Sequence, residues 1–203
     1  MKVIIESYNS VWPETFTFLK NKIFHSLSFL NPSIEHIGST SSEGLSAKPI
    51  IDIMVGIESV SLLDQTVQPL IDSGYIYFEK FNSVMPNRRF YVLLKSIPLD
   101  FTVPTIYKET DGVPNELNDY KVAHIHIFEK NSFDWNRHIA FRDYLKSHPD
   151  IKDEYQNMKL ELSLKNWKDG SEYNSRKNNF IKEHELKAID LLKKQLSKTT
   201  LNN

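Results

Sequence analysis

His36-Ile37-Gly38-Ser39-Thr40-Ser41, followed by Gly44-Leu45 and by Lys48-Pro49-Ile50-Ile51-Asp52-Ile53-Met54-Val55, is the stretch on which the reading of this chain turns. Residues 34–37 predict a short strand that runs into the bend. Gly38 suits a tight turn and a close backbone approach because it has no Cβ. Ser39, Thr40 and Ser41 set hydroxyls beside backbone N–H groups, an arrangement suited to phosphate oxygens. The same residue types also make ordinary turns and helix caps, so the bend alone does not decide the chemistry. Residues 49–55, dense in Ile and Val, predict a buried strand. The strand period puts Ile51, Ile53 and Val55 on one face and Ile50, Asp52 and Met54 on the other. Asp52 is thus an acid in an apolar ribbon, which is costly unless it is paired, hydrogen-bonded or bound to metal. A neutralising Lys48 or arginine is one reading; a ligand-facing carboxylate is the other.

Working outward, Trp12-Pro13-Glu14 with Phe16, Leu19, Lys20 and Ile23 predicts a first helix that carries Pro13 in its opening turn. Residues 62–72 predict a helix weakened by Pro69 and closed near Gly74. Further strands are expected at 75–78, 90–94, 99–103 and 122–128, with a polar loop at 108–119. After Phe128 the periodicity turns helical, giving helices at 133–147, 151–164 and 173–196 with Ser132 and Asp150 as N-caps of the first two. The expected class is α/β in the broad α+β sense: a mixed β-sheet with flanking helices and a C-terminal helical extension. One unit over 1–203 is expected, its sheet core at 1–130 and its helices at 131–203. No repeat and no low-complexity linker interrupts it.

Composition narrows the function classes. Lys and Arg total 25 against 26 Asp and Glu, for a formal net charge of -1. This argues against bulk nucleic acid as a partner while leaving room for a local basic pocket. There is no cysteine, so disulfides, thiolate zinc sites and cysteine nucleophiles are excluded. No apolar run approaches the roughly 20 residues that span a bilayer. Glu6 interrupts the start before a signal-type apolar segment develops, so the cytoplasm is the expected compartment, with no membrane partner.

The bend and acidic strand, with Ala47 ahead of Lys48, resemble the signature of the GrpB family, a branch of the nucleotidyltransferase superfamily. The likeness continues in order at Tyr8 and Trp12, at Arg89-Phe90-Tyr91 and at His124-Ile125-His126-Ile127. It returns at Phe141-Arg142-Asp143-Tyr144-Leu145, His148-Pro149, Tyr155, Lys159, Tyr173, Lys177 and Phe180-Ile181. The resemblance implies a nucleotidyltransferase-type core with appended helices. Fusion of such a domain to dephospho-coenzyme A kinase in some bacteria implies a link to nucleotide or coenzyme metabolism.

Two departures from the family pattern bear on the chemistry. Superfamily enzymes carry two carboxylates at alternate positions of this strand, whereas here Asp52 is followed by Met54, whose thioether is a poor ligand for a hard cation. Ser42-Glu43 stands where related chains have an apolar residue and proline. Glu43 either repels phosphate or replaces the missing metal ligand.

Candidate site residues follow. Asp100 is placed as the third carboxylate, since Leu99, Phe101 and Val103 would share the opposite strand face; an exposed Asp on a half-buried strand is the equal alternative. His124 and His126, two apart, share one strand face and suit metal binding, phosphate binding or proton transfer. Of Arg88 and Arg89, Arg89 carries the resemblance and is the expected phosphate ligand. Arg142, Lys159 and Lys177 are placed at the pocket mouth, with helix-surface ion pairing as the plainer account.

The resemblance implies transfer of a nucleoside monophosphate from a nucleoside triphosphate to a small-molecule acceptor. Mg²⁺ (or Mn²⁺) would lie on Asp52, with Asp100 or Glu43 completing its shell. Gly38, Ser39, Thr40, Ser41, Lys48 and Arg89 would hold phosphates, and His124 or His126 would take the acceptor's proton. Met54 motivates a second reading, a nucleotide- or phosphometabolite-binding module without turnover. The long C-terminal helix motivates a third, an accessory or scaffold protein.

Overall fold

Runs of alternating Ile and Val build the sheet, and the parity of each run sets what its two faces meet. The computed structural model describes residues 2–99 and 101–201, with side chains described as far as Lys194. Strands β1 (Ser33–Ile37), β2 (Ile51–Ile57), β3 (Ile76–Tyr77), β4 (Arg89–Leu94) and β5 (Lys121–Glu129) form one sheet in the order β1-β2-β5-β4-β3. β2 and β5 run parallel, and the other neighbours are antiparallel. Helices α1 (Val11–Ser26), α2 (Val67–Asp72), α3 (Phe133–Ser147), α4 (Pro149–Ser163) and α5 (Gly170–Leu201) complete the mixed α/β architecture.

One sheet face is largely apolar. Ile51, Ile53, Val55 and Ile57 of β2 and Ala123, Ile125 and Ile127 of β5 are buried against Leu19 and Ile23 of α1, Leu27 beyond it, and Leu63 and Leu70. Each such Ile or Leu contributes about 1.5–3 kcal/mol by leaving water. The other face carries a smaller cluster of Ile37, Met54, Phe128 and Trp135. Gly56 admits Trp135 to this face, because a Cβ there would stand 2.6 Å from a ring carbon. Ser132 caps α3 as expected, its Oγ accepting from the Trp135 N–H at 3.3 Å.

Several elements differ from expectation. Residues 62–72 divide into a 3₁₀ segment, Val60–Thr66, and the short α2. Pro69 lies in the opening turn of α2, where a missing N–H removes no helical bond. No strand forms over 99 and 101–103: Leu99 is fully exposed, while Phe101 and Val103 pack against the cluster of Phe78, Val92, Tyr107 and Leu117. Asp100 lies outside the described residues. Asp150 is not a cap; α4 begins one residue earlier at Pro149, with His148 at the N-cap position and Asp150 in the first turn, where a carboxylate suits the positive helix end. No helix among the described residues is long and apolar enough to cross a membrane.

Candidate functional site

Sheet register brings three side chains of the second face together. Asp52 of β2 lies opposite Ile37 of β1 and beside His124 of β5, and Met54 lies beside His126. Period two then sets Asp52, His124 and His126 on one face. His124 Nδ1–H donates to Asp52 Oδ1 at 3.0 Å; the carboxylate can only accept, which places the proton on Nδ1. His124 Nε2 and His126 Nδ1 are buried with no hydrogen-bond partner among the described residues. One ligand atom from each of the three residues lies within 4.8 Å of the others.

The bend sits directly over the carboxylate. Gly38 has φ 70° and ψ -174°, a region that side chains rarely enter, and an added Cβ would overlap Asp52 Oδ2. The Asp52 side chain is 31% exposed and borders the cavity. Burial pushes its pKa up, but the His124 hydrogen bond and the fields of His124 and Lys177 bring it below the ordinary carboxylate value. Burial and the nearby Arg88 push the His126 pKa well down. Asp52 is therefore the anion of the group and His126 is neutral.

Above this floor opens a cavity of about 680 Å³. Lys48, Lys80, Arg88, Lys121, Lys159 and Lys177 line it, against Asp52 and Asp169. The near-zero net charge of the chain thus hides a segregated cationic pocket. Burial lowers Lys159 to about 7, helped by Lys177, and lowers Lys121 to about 8, helped by Lys48. Burial also brings Lys177 to about 8, opposed by Asp52. An anion would restore full charge to all three. Phe81 and Phe90 form an aromatic wall, with the Arg88 guanidinium 5.3 Å from the Phe90 ring centre.

The bend's hydroxyls divide. Ser39 Oγ accepts from Lys159 Nζ at 3.0 Å. Thr40 Oγ1 shares a 2.9 Å hydrogen bond with His36 Nε2, and burial takes the pKa of His36 down to about 4. Both Ser39 and Thr40 line the cavity, with Lys48. Ser41 Oγ instead donates to Gly38 O at 2.6 Å. Lys159 and Lys177 stand in the wall of the cavity, with Lys159 2% exposed.

Three expected residues are not brought to the group. Arg89 Nε donates to Asp64 Oδ1 at 2.6 Å, because β4 parity aligns Arg89 with Tyr91 and leaves Phe90 beside His126. Its neighbour Arg88 lines the cavity instead, with Nε buried and unpartnered. Glu43 is exposed in the turn after the bend, where its carbonyl accepts from Lys152 Nζ at 3.1 Å. Arg142 bonds Glu35 Oε2, Asp143 Oδ1 and His36 O. It borders a second cavity, of about 300 Å³, on the α3 side of Asp52.

Lys80 and Lys121 belong to the cavity with no prior sign in the sequence. Parity would group Lys121 with Ala123 and Ile125 on the other face, but the ladder shifts register at Leu93/Leu94 and interrupts the count.

Without phosphate oxygens these ligands fit Mg²⁺ poorly. That ion takes oxygen ligands in octahedral geometry, and the group offers one carboxylate and two imidazoles. Met54 is fully buried in its apolar cluster, and Glu43 is elsewhere.

Comparison with known proteins agrees with the motif. The family model described as GrpB protein matches residues 2–187. The glutamate-rich protein GrpB of Alkalihalophilus pseudofirmus is 30% identical over 183 residues, covering 90% of this chain and 93% of that protein. The crystal structure of conserved protein GrpB from Enterococcus faecalis superposes with a TM-score of 0.73 at 28% identity, covering 93% of this chain and 99% of that one. The MgGTP-bound Cid1 poly(U) polymerase superposes with a TM-score of 0.47 at 14% identity, over 77% of this chain and 42% of that one.

Proposed function

The chain belongs to the GrpB family, and from that premise we propose that its cavity binds a nucleoside triphosphate. The observation that carries this reading is the lining: six basic side chains against two acidic ones, beside an aromatic wall, over the bend and Asp52. A polyphosphate chain meets Lys48, Lys121, Lys159 and Lys177, where water is scarce and charge-assisted hydrogen bonds are strong. The base stacks on Phe81 and Phe90 with Arg88 alongside, which favours a nucleotide over a small phosphometabolite.

Each residue has a separate task. Lys159 ties the bend to α4 through Ser39 and the carbonyl of Ser46, so the loop and the phosphate site are held as one. His36 holds Thr40 in place. Asp52 keeps His124 in one tautomer and limits how much negative charge the pocket accepts without a counter-cation. Nucleotidyl transfer through Mg²⁺ is not part of this proposal, since the described residues bring a single carboxylate, Asp52, to the group.

Isothermal titration with ATP, CTP, GTP and UTP tests the reading. Saturable micromolar binding of at least one, weakened at least tenfold in Lys177→Ala, is expected. No binding by any of them to folded protein overturns it and favours the accessory role. Pyrophosphate release with a metabolite mixture would add turnover to binding.

A further inference from the structure

Two imidazoles and a carboxylate stand on the cavity floor with ring nitrogens that no protein group satisfies. We propose that Asp52, His124 and His126 bind a borderline first-row divalent ion, Zn²⁺ or Co²⁺ ahead of Mn²⁺, and Mn²⁺ ahead of Mg²⁺. The inference stands on this cluster alone and does not require the nucleotide reading.

Three observations converge on it. The three residues each bring a ligand atom to within 4.8 Å of the others, a spread that small side-chain rotations close around one ion. His124 Nε2 and His126 Nδ1 are buried and unpartnered, and neutral imidazole nitrogens in that state are ready ligands. Finally, His126 stands beside Met54 in the β2–β5 register. An imidazole nitrogen on β5 thus takes up the place next to Asp52 where a second β2 carboxylate would have offered oxygen.

Ligand chemistry sets the order of ions. Imidazole suits zinc, cobalt and manganese in falling order of affinity, and without a nucleotide's phosphates a single carboxylate offers Mg²⁺ little oxygen. Phe90 walls the group, its ring centre 5.0 Å from His126 and 5.5 Å from His124, which limits the water that competes for the ion. The cavity leaves the remaining positions open to water or an anion, as in sites that keep exchangeable ligands.

Chelator-stripped full chain, with no nucleotide present, is titrated with Co²⁺ by visible absorption and with Zn²⁺ by competition. One equivalent of Co²⁺ with d–d bands, displaced by Zn²⁺ and not by a hundredfold excess of Mg²⁺, is expected. His126→Asn is expected to weaken Zn²⁺ at least tenfold, and His25→Gln, on the exposed end of α1, to leave it within twofold. Absent d–d bands, equal affinity for Mg²⁺ and Zn²⁺, or unchanged binding in folded His126→Asn each overturn the proposal. Should that variant not fold, X-ray absorption of the Zn²⁺-loaded wild-type chain decides: two imidazole ligands support the site and fewer than two overturn it.

Discussion

The Asp52 carboxylate lies against the Cα of Gly38, so close that no Cβ fits between the bend and the strand. Bend and acid are therefore one structural unit, and a change at either moves the other. Gly38→Ala forces a side chain into a glycine-only backbone region and into the carboxylate together. Destabilisation of about 2–4 kcal/mol is expected, from backbone strain and overpacking. Urea denaturation measures it, and a midpoint equal to wild type would show that the bend stands farther from Asp52.

Asp52 is the anion in a cationic pocket, so its removal should have opposite effects with and without a metal ion. Asp52→Asn is expected to tighten metal-free ATP about fivefold, or about 1 kcal/mol, the size of one charge pair at about 4 Å in water. Any gain in ATP affinity from added Zn²⁺ or Mn²⁺ is expected to vanish. Calorimetry with chelator and with metal reads both, and weaker metal-free binding would contradict the sign.

Lys159 carries a pKa of about 7 because burial disfavours its charge. A folded value below the ordinary 10.5 means the folded chain holds fewer protons than the unfolded chain between those two values. The cost to stability from this group is complete below about pH 7 and fades as pH rises toward 10.5. A bound polyanion reverses the depression, so binding takes up protons. ATP affinity should fall about tenfold or more from pH 7 to pH 9. Titrations in buffers of different ionisation enthalpy count the protons, and Lys159→Met should reduce the uptake, leaving the share of Lys121 and Lys177. No proton uptake at pH 8 would refute this account.

Arg88 and Arg89 are adjacent in sequence and point to different tasks. Arg88→Ala is expected to weaken ATP by about tenfold, a typical loss for one charge-assisted contact. Arg89→Ala should leave binding within about twofold. It should cost at most about 1 kcal/mol of stability, since its partner Asp64 has a 76% exposed side chain. The reverse pattern in parallel titrations and melts would overturn the strand parity on which the assignment rests.

Met54→Asp adds a second carboxylate on the face of Asp52, but inside an apolar cluster where Met54 is fully buried. Destabilisation of about 3 kcal/mol or more is expected without metal. Millimolar Mg²⁺ should recover part of it by binding the new pair. A melting temperature indifferent to Mg²⁺ would remove this account of position 54.

What could be read from the chain alone follows from local period. Alternation over β2 places Asp52 opposite Ile51, Ile53 and Val55 whatever the rest of the fold does, and the same rule pairs His124 with His126. Ser132 before α3 marks a helix start because the cap is made within three residues. The same rule misleads over 99 and 101–103, where apolar alternation forms no strand. Leu99 is fully exposed, while Phe101 and Val103 pack against Phe78, Val92, Tyr107 and Leu117; apolar residues there are buried without forming a strand.

Only tertiary structure decided which strands become neighbours, and with that the site. Placing β5 parallel to β2 sets His124 beside Asp52 across 72 residues of chain, and His126 beside Met54. α4 and α5 then bring Lys159 and Lys177 into the same cavity. Arg88 rather than Arg89 faces it because of a β4 alignment that no composition or motif specifies. Charge is counted along a sequence but acts through space, so a net charge of -1 carried no trace of a pocket with six basic side chains.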